Sequence, residues 1–437
     1  MAEERRSYPL PNHSIPGLRL SDHVADLVEI QAFLESRGIQ THNTRIDRYI
    51  QYLEQAAHGG PINEARIFKN VTDARFQSDT DWLLYVLREA HELMWILKGL
   101  KAHVPKGVDE KLQIIVSGSD FSALDTHTES RNTQFELRIA SYFCQAGCEV
   151  NLSTRTDVIA TTQEHVFYLE CKRIAGPKSL QENLKKAKSQ LIERMPSRHG
   201  TRKAYGLIAA DVTRVAFSHN GLTWGLTNDH ARDVIQEKLT SIANSTLKMP
   251  IFTGYRGLLG CWLQIHIPSL IQHPPTATTT RFSSFRTQNS NLDRKSRKAL
   301  RIFDGITAIG NRPDDREDPA EKLVRRTRVT LPAGTSFGID EHLLEEFLKG
   351  GSDYGKMSED VIAGLAFDGV NHEFTFFDFE MLAANIPTSM RQRLVASPDT
   401  ARLELIMEMY MQRYPFENAG NAGVISTGQS PESQGEA

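Results

Sequence analysis

A chain of 437 residues with 40% apolar and 24% charged side chains exceeds one ordinary core and reads as two or three globular domains. Its 51 basic and 54 acidic residues give a net charge of -3, which excludes the uniformly basic surface of a generic nucleic-acid binder but leaves room for one local basic groove. No run of about eighteen apolar residues occurs and MAEERRSYPLPNHS has no apolar core, so neither a membrane partner nor a secretory signal is expected, and the location is expected to be cytoplasmic.

In chain order, residues 21–38, 44–57 and 80–103 space their apolar side chains three and four apart and predict helices. Ser21 and Asp79 or Thr80 are the expected N-caps, and Gly38 and Gly59 the expected stops. Residues 112–118 (LQIIVSG) predict a strand, followed by a polar connection. A helix is then expected from about 132 to 145, with a turn at Gly147 and strands near 149–152, 157–160 and 165–173. A helix over 180–195, a strand at 204–213, a helix at 229–244 and a strand at 257–268 follow. This alternation predicts an α/β domain with a mixed sheet flanked by helices.

Residues 273–290 lack an apolar period and are rich in Pro, Thr and Ser, which reads as a linker or a long surface loop. Beyond it, strands are expected at RVTLPAG and HEFTFFDF, and helices at DEHLLEEFLKG and ARLELIMEMYMQRY. The expected organisation is therefore a helical region at 1–110, an α/β domain at 111–272, a linker at 273–292, an α+β region at 293–418 and a disordered tail at 419–437. The four cysteines, Cys144, Cys148, Cys171 and Cys261, are too few and too scattered for a disulfide framework. Cys144 and Cys148, four apart on a helix, read as buried thiols rather than a zinc site.

The strand HVFYLECKR carries the chemistry. Alternation sends His165, Phe167, Leu169 and Cys171 to one face and Val166, Tyr168, Glu170 and Lys172 to the other. A carboxylate and an ammonium thus emerge together, a costly arrangement unless they open onto a cleft, pair or hold a metal. In the preceding segment, TRTDVIA, Asp157 stands at a strand's entrance, and a hairpin between the two strands brings it close to Glu170. Two converging carboxylates fit a hard divalent ion such as Mg2+, with the backbone carbonyl of Cys171 as a further ligand.

The pair TD at 156–157 and ECK at 170–172 resembles the motif of the PD-(D/E)xK nuclease superfamily, with Thr156 in place of the usual proline. The resemblance spans roughly residues 130–215 and implies a restriction-endonuclease-like core. It matches Asp157 and Glu170 to the family's acidic residues and Lys172 to its lysine. It also implies that Glu136, in QFELRIASYFCQAGCEV, is the acidic residue that assists the metal site, and that Gln190, in ENLKKAKSQLIERM, is the glutamine found in some members. Activity is implied to be hydrolysis of a nucleic-acid phosphodiester with Mg2+, for which Mn2+ substitutes, acting on DNA more often than RNA. Lys172 would position or deprotonate the attacking water. Restriction, repair and phage defence are the settings the resemblance implies.

Arg173, Lys185, Lys186 and Lys188, with Arg194, are candidate phosphate contacts beside the site, and Arg294, Lys295, Arg297 and Lys298 form a second basic cluster. For each, a solvated helix face is the plain alternative. SHNG at 218–221 reads as a turn, and no phosphate loop of the GxxxxGK[ST] kind occurs. The flanking regions are expected to supply substrate grip, gating, or contacts to a second copy or a partner protein. The rival reading is a catalytically silent nucleic-acid-binding or assembly module on the same fold.

Overall fold

The computed structural model describes residues 6–14, 20–59, 62–68, 76, 78–121, 128–217, 223–247, 255, 257–286, 292–311, 321–349, 359–383 and 399–418. They fall into two compact units, one within Met1–Tyr8 and Ile15–Pro319, the other within Pro9–Ser14 and Ala320–Ala422. The expected turn at 218–221 and the expected tail beyond 418 lie outside the described residues.

The first unit begins with α1 (Leu20–Ser36), α2 (Arg45–His58), the short α3 (Glu64–Ile67) and α4 (Asp79–Ala102). Ser78, one residue before the expected caps, starts α4: its hydroxyl accepts from the Asp81 amide while the Asp81 carboxylate accepts from the Ser78 amide. Gly59 ends α2 at φ 71°, a left-handed conformation that a side chain would strain. Residues 108–115 form a helix, α5 (Val108–Ile115), where a strand was expected. The run LQII fits either period, and burial of Val108, Leu112 and Ile115 selects the helical one.

Helix α6 (Glu129–Gln145) leads into β1 (Glu149–Asn151), β2 (Val158–Thr161) and β3 (His165–Arg173). Then come α7 (Pro177–Arg194), β4 (Arg198–His199), β5 (Arg202–Asp211), α8 (Thr213–Ala216), β6 (Thr223–Thr227), α9 (Asn228–Leu247) and β7 (Leu258–His273). The sheet runs β1-β2-β3-β5-β7-β6. Its first three strands are antiparallel, while β3, β5 and β7 are parallel, so the sheet is mixed. Residues 276–286, expected within a linker, form β8 (Thr276–Arg286), antiparallel to β7. Its Thr and Phe residues favour a pleated surface, a preference that the absence of alternation conceals in the sequence.

Period-two alternation gives the sheet two faces. Val158, Phe167, Leu169, Cys171, Leu207 and Trp262 share a core with the first six helices and with α10 (Arg294–Thr307). Ile159, Val166, Tyr168 and Ile208 pack instead against Leu180, Leu184 and Leu191 of α7 and Ile235 and Leu239 of α9. The second unit has a three-stranded antiparallel sheet, β9 (Ser336–Ile339), β10 (Val361–Phe367) and β11 (Val370–Thr375). With it go α11 (Glu341–Lys349), α12 (Phe376–Ala383) and α13 (Asp399–Arg413). RVTLPAG forms no strand, and HEFTFFDF divides between β11 and α12. No helix among the described residues is long and apolar enough to cross a membrane.

A buried charge network lies within the helical side of the first unit. Arg138 of α6, 1% exposed, donates to Glu92 of α4 and to Asp211 at the end of β5, each at 2.9 Å. Arg131 pairs with Glu89, and Arg45 donates to Gln134. Burial alone pushes the Asp211 carboxyl up, but Arg138 and Arg173 outweigh it and bring it down to about 2. The charged form is therefore the stabilising one, present above the ordinary 3.8 and lost as pH falls towards about 2. Replacing Arg138 by Leu strands two carboxylates, and the expected loss in chemical denaturation is about 3–5 kcal/mol, the scale for breaking a buried ion pair. A loss below about 1 kcal/mol would assign these charges to solvent screening.

Candidate active site

The last pair of the β2–β3 ladder is Val158 with Leu169, so Asp157, one residue earlier, stands opposite Glu170. By alternation Asp157 shares the face of Ile159, and Glu170 and Lys172 share that of Tyr168, so all three meet on the α7 side of the sheet. Lys172 Nζ lies 3.7 Å from Asp157 Oδ2 and 3.5 Å from Glu170 Oε2. The Asp157 carboxylate is fixed by the Cys171 backbone N–H, which donates to Oδ2 at 2.7 Å. In an extended strand the N–H and C=O of one residue point to the same edge, so the Cys171 carbonyl also faces the β2 edge, past the point where β2 ends.

Glu170 is fully buried, and its Oε2 has no hydrogen-bond partner. Burial first, and then the charge of Asp157, push its carboxyl up to about 7 against the downward pull of Lys172 and Arg194. Glu136 enters from α6, paired with Lys111 of α5 at 2.5 Å. Its carboxyl too is raised, by burial and by Asp157, so the charge of Asp157 acts on two further carboxyls at this end of the sheet. Burial raises the Cys171 thiol far above its ordinary range, which leaves the residue's backbone as its available chemistry. All four cysteines are buried thiols without disulfides.

The other candidates separate by position. Gln190 is half-buried on α7, with its Oε1 enclosed and without a partner, one turn before Arg194. Lys185 and Lys186 are exposed on α7, and Lys188 is half-buried. Arg173 alternates with Lys172 and so faces the helical side, where its charge helps hold Glu89 and Asp211 ionised. Arg294, Lys295, Arg297 and Lys298 are exposed on α10, whose opposite face is buried through Ala299, Phe303 and Ile306. Lys298 pairs with Glu164, and Asp293 lies 3.5 Å from Lys203, at the starts of β3 and β5. That end is roughly 15–25 Å along the strand from Glu170 and Lys172, so the α10 cluster and the carboxylates occupy opposite ends of the sheet.

Two site residues escape a reading of the motif alone. Arg194, considered only as a phosphate contact, donates through Nη1 to Glu170 Oε1 at 2.9 Å and to the Arg155 carbonyl at 2.5 Å. Its spacing of four from Gln190 puts both on one helical face, a signal present in the sequence. Lys111 was hidden because the residues after it read as a strand, whereas it lies within α5.

Among the described residues no three His, Cys, Asp or Glu side chains converge closely enough to hold a metal by themselves. A magnesium ion does not require three: one or two carboxylates suffice, with water completing its shell. Asp157, the buried oxygen of Glu170 that accepts no hydrogen bond and the carbonyl of Cys171 make an all-oxygen donor set that fits such an ion. The metal-free carboxylate also has a measurable consequence. With its folded value near 7 and its ordinary value 4.5, Glu170 holds a proton that the unfolded chain has released. Its contribution to stability therefore falls as pH rises from about 4.5 to about 7 and is level outside that window. Thermal unfolding in chelator should show this slope, and Glu170→Gln should remove it; an unchanged slope would place the titration elsewhere.

No protein-family model, curated protein or solved structure matches the chain, so the site stands on its own geometry.

Proposed function

We propose that the first unit is a divalent-metal-dependent nuclease with a restriction-endonuclease-like core, cleaving phosphodiester bonds of nucleic acid, with DNA favoured. The observation that carries the reading is the convergence of Asp157 Oδ2 and Glu170 Oε2 within 3.7 Å of one ammonium, on one face of the sheet. Glu170 and Glu136, buried beside the like charge of Asp157 and raised in proton affinity by it, destabilise a fold that has no use for them.

A divalent ion held by Asp157, Glu170 and the Cys171 carbonyl would supply activation of a water and neutralisation of charge at the scissile phosphate. Lys172 would orient that water by donating a hydrogen bond to it, or as the neutral amine would take its proton, and as the ammonium it would offset the charge that builds on the phosphoryl oxygens. Glu136, anchored by Lys111, would accept hydrogen bonds from the ion's bound water at the same end of the sheet. Lys185 and Lys186 present positive charge to a backbone passing along α7.

The test is incubation of the purified full chain with supercoiled plasmid and, separately, with single-stranded RNA. Nicking that requires Mg2+ or Mn2+ and stops with chelator is the expected result. Binding without cleavage under every divalent ion would favour the silent scaffold instead.

A further inference from the structure

We infer that Arg194 is a positioning residue that holds Glu170 in the metal-free protein and releases it when a phosphodiester arrives, so that nucleic-acid binding and divalent-ion binding are coupled through one side chain. The inference rests on the nuclease reading above. Its first ground is occupancy: Arg194 Nη1 sits 2.9 Å from Glu170 Oε1, on a carboxylate that is fully buried and that the proposed ion also needs. A guanidinium on Oε1 and a divalent cation on Oε2 of the same carboxylate lie only a few ångströms apart and repel each other strongly.

The second ground is that Arg194 is incompletely satisfied where it stands. Its Nε is buried without a hydrogen-bond partner, and Nη1 is divided between Glu170 and the Arg155 carbonyl. A phosphodiester offers two anionic oxygens in a geometry that a guanidinium fork meets with two parallel hydrogen bonds, so the move gains bonds for the arginine. The third ground is location. Arg194 is the last residue of α7, and its side chain is 18% exposed, so it has a route from the carboxylate to solvent. The helix end is tied to the segment before Asp157 by the Arg155–Glu193 pair at 2.6 Å, which keeps Arg194 at the site in either position.

Lys172 does not take this part. It lies farther from both carboxylates, at 3.5 and 3.7 Å, and balances them jointly rather than capping one. The consequence is reciprocal: whatever draws Arg194 away raises affinity for the ion, and the ion raises affinity for the phosphate by the same factor.

The experiment is calorimetric titration of Ca2+ into the full chain, alone and with a short DNA duplex, for wild type, Arg194→Gln and Arg194→Lys. Wild type should bind the ion weakly alone and about tenfold or more tightly with duplex, within the usual range of coupling between sites. Arg194→Gln should bind the ion about tenfold more tightly without duplex and gain little from adding it, because the competing charge is gone. Arg194→Lys, which keeps the charge and the packing of the stem, should retain weak binding alone and serves as the control for folding. Ion binding in wild type with the same duplex effect in Arg194→Gln would overturn the inference and leave the nuclease reading standing. Absence of ion binding in every sample, with and without duplex, would overturn both.

Discussion

Replacing Asp157 by Ala is expected to abolish cleavage and to weaken divalent-ion binding by about a hundredfold or more, the scale for removing one charge a few ångströms from a cation. The protein should stay folded. The substitution removes the acceptor for the Cys171 amide, a loss of about 1 kcal/mol for a hydrogen bond of this kind. Against that loss stands relief of repulsion, because Asp157 raises the carboxyls of both Glu136 and Glu170. The two effects oppose each other, so chemical denaturation in chelator should register a change within about 1 kcal/mol of wild type. Cleavage and ion affinity are read on the same preparation by oligonucleotide cutting and Mn2+ calorimetry. Retained ion affinity in the Asp157 variant would remove this carboxylate from the ligand set.

Replacing Lys172 by Ala should separate what the Asp157 variant loses together. Both carboxylates remain, and the neighbouring cation that repels a divalent ion is gone, so ion binding should persist or strengthen. Turnover should nevertheless fall by on the order of a hundredfold or more, the usual scale for one electrostatic catalytic group. Loss of binding and turnover in parallel would mean that Lys172 serves the metal-free fold rather than the reaction. A variant that cleaves as fast as wild type would place the active site elsewhere.

Alternation along HVFYLECKR was enough to assign Glu170 and Lys172 to one face, because a strand's period is two and both neighbouring positions toward its start are large and apolar. The position of Asp157 followed from the β-branched residues after it, and the ladder ends one residue beyond it. LQII gave no such lever, since three apolar residues in four fit a strand or one turn of a buried helix equally well, and with the missed helix went Lys111, just before them. The α10 cluster was legible as charge but not as place. Its distance from the carboxylates is set by Lys298 and Asp293 meeting residues at the starts of β3 and β5, pairings between positions far apart in the chain. Arg194 was missed for the same reason, because only tertiary packing brings the end of α7 onto a buried oxygen of β3.

The most direct test is anomalous scattering from crystals of the full chain grown with Mn2+. A single manganese peak bounded by Asp157, Glu170 and the Cys171 carbonyl, with Arg194 displaced from Glu170, is the predicted result. Manganese-saturated crystals with no peak between these carboxylates, and with Arg194 still seated on Glu170, would contradict it.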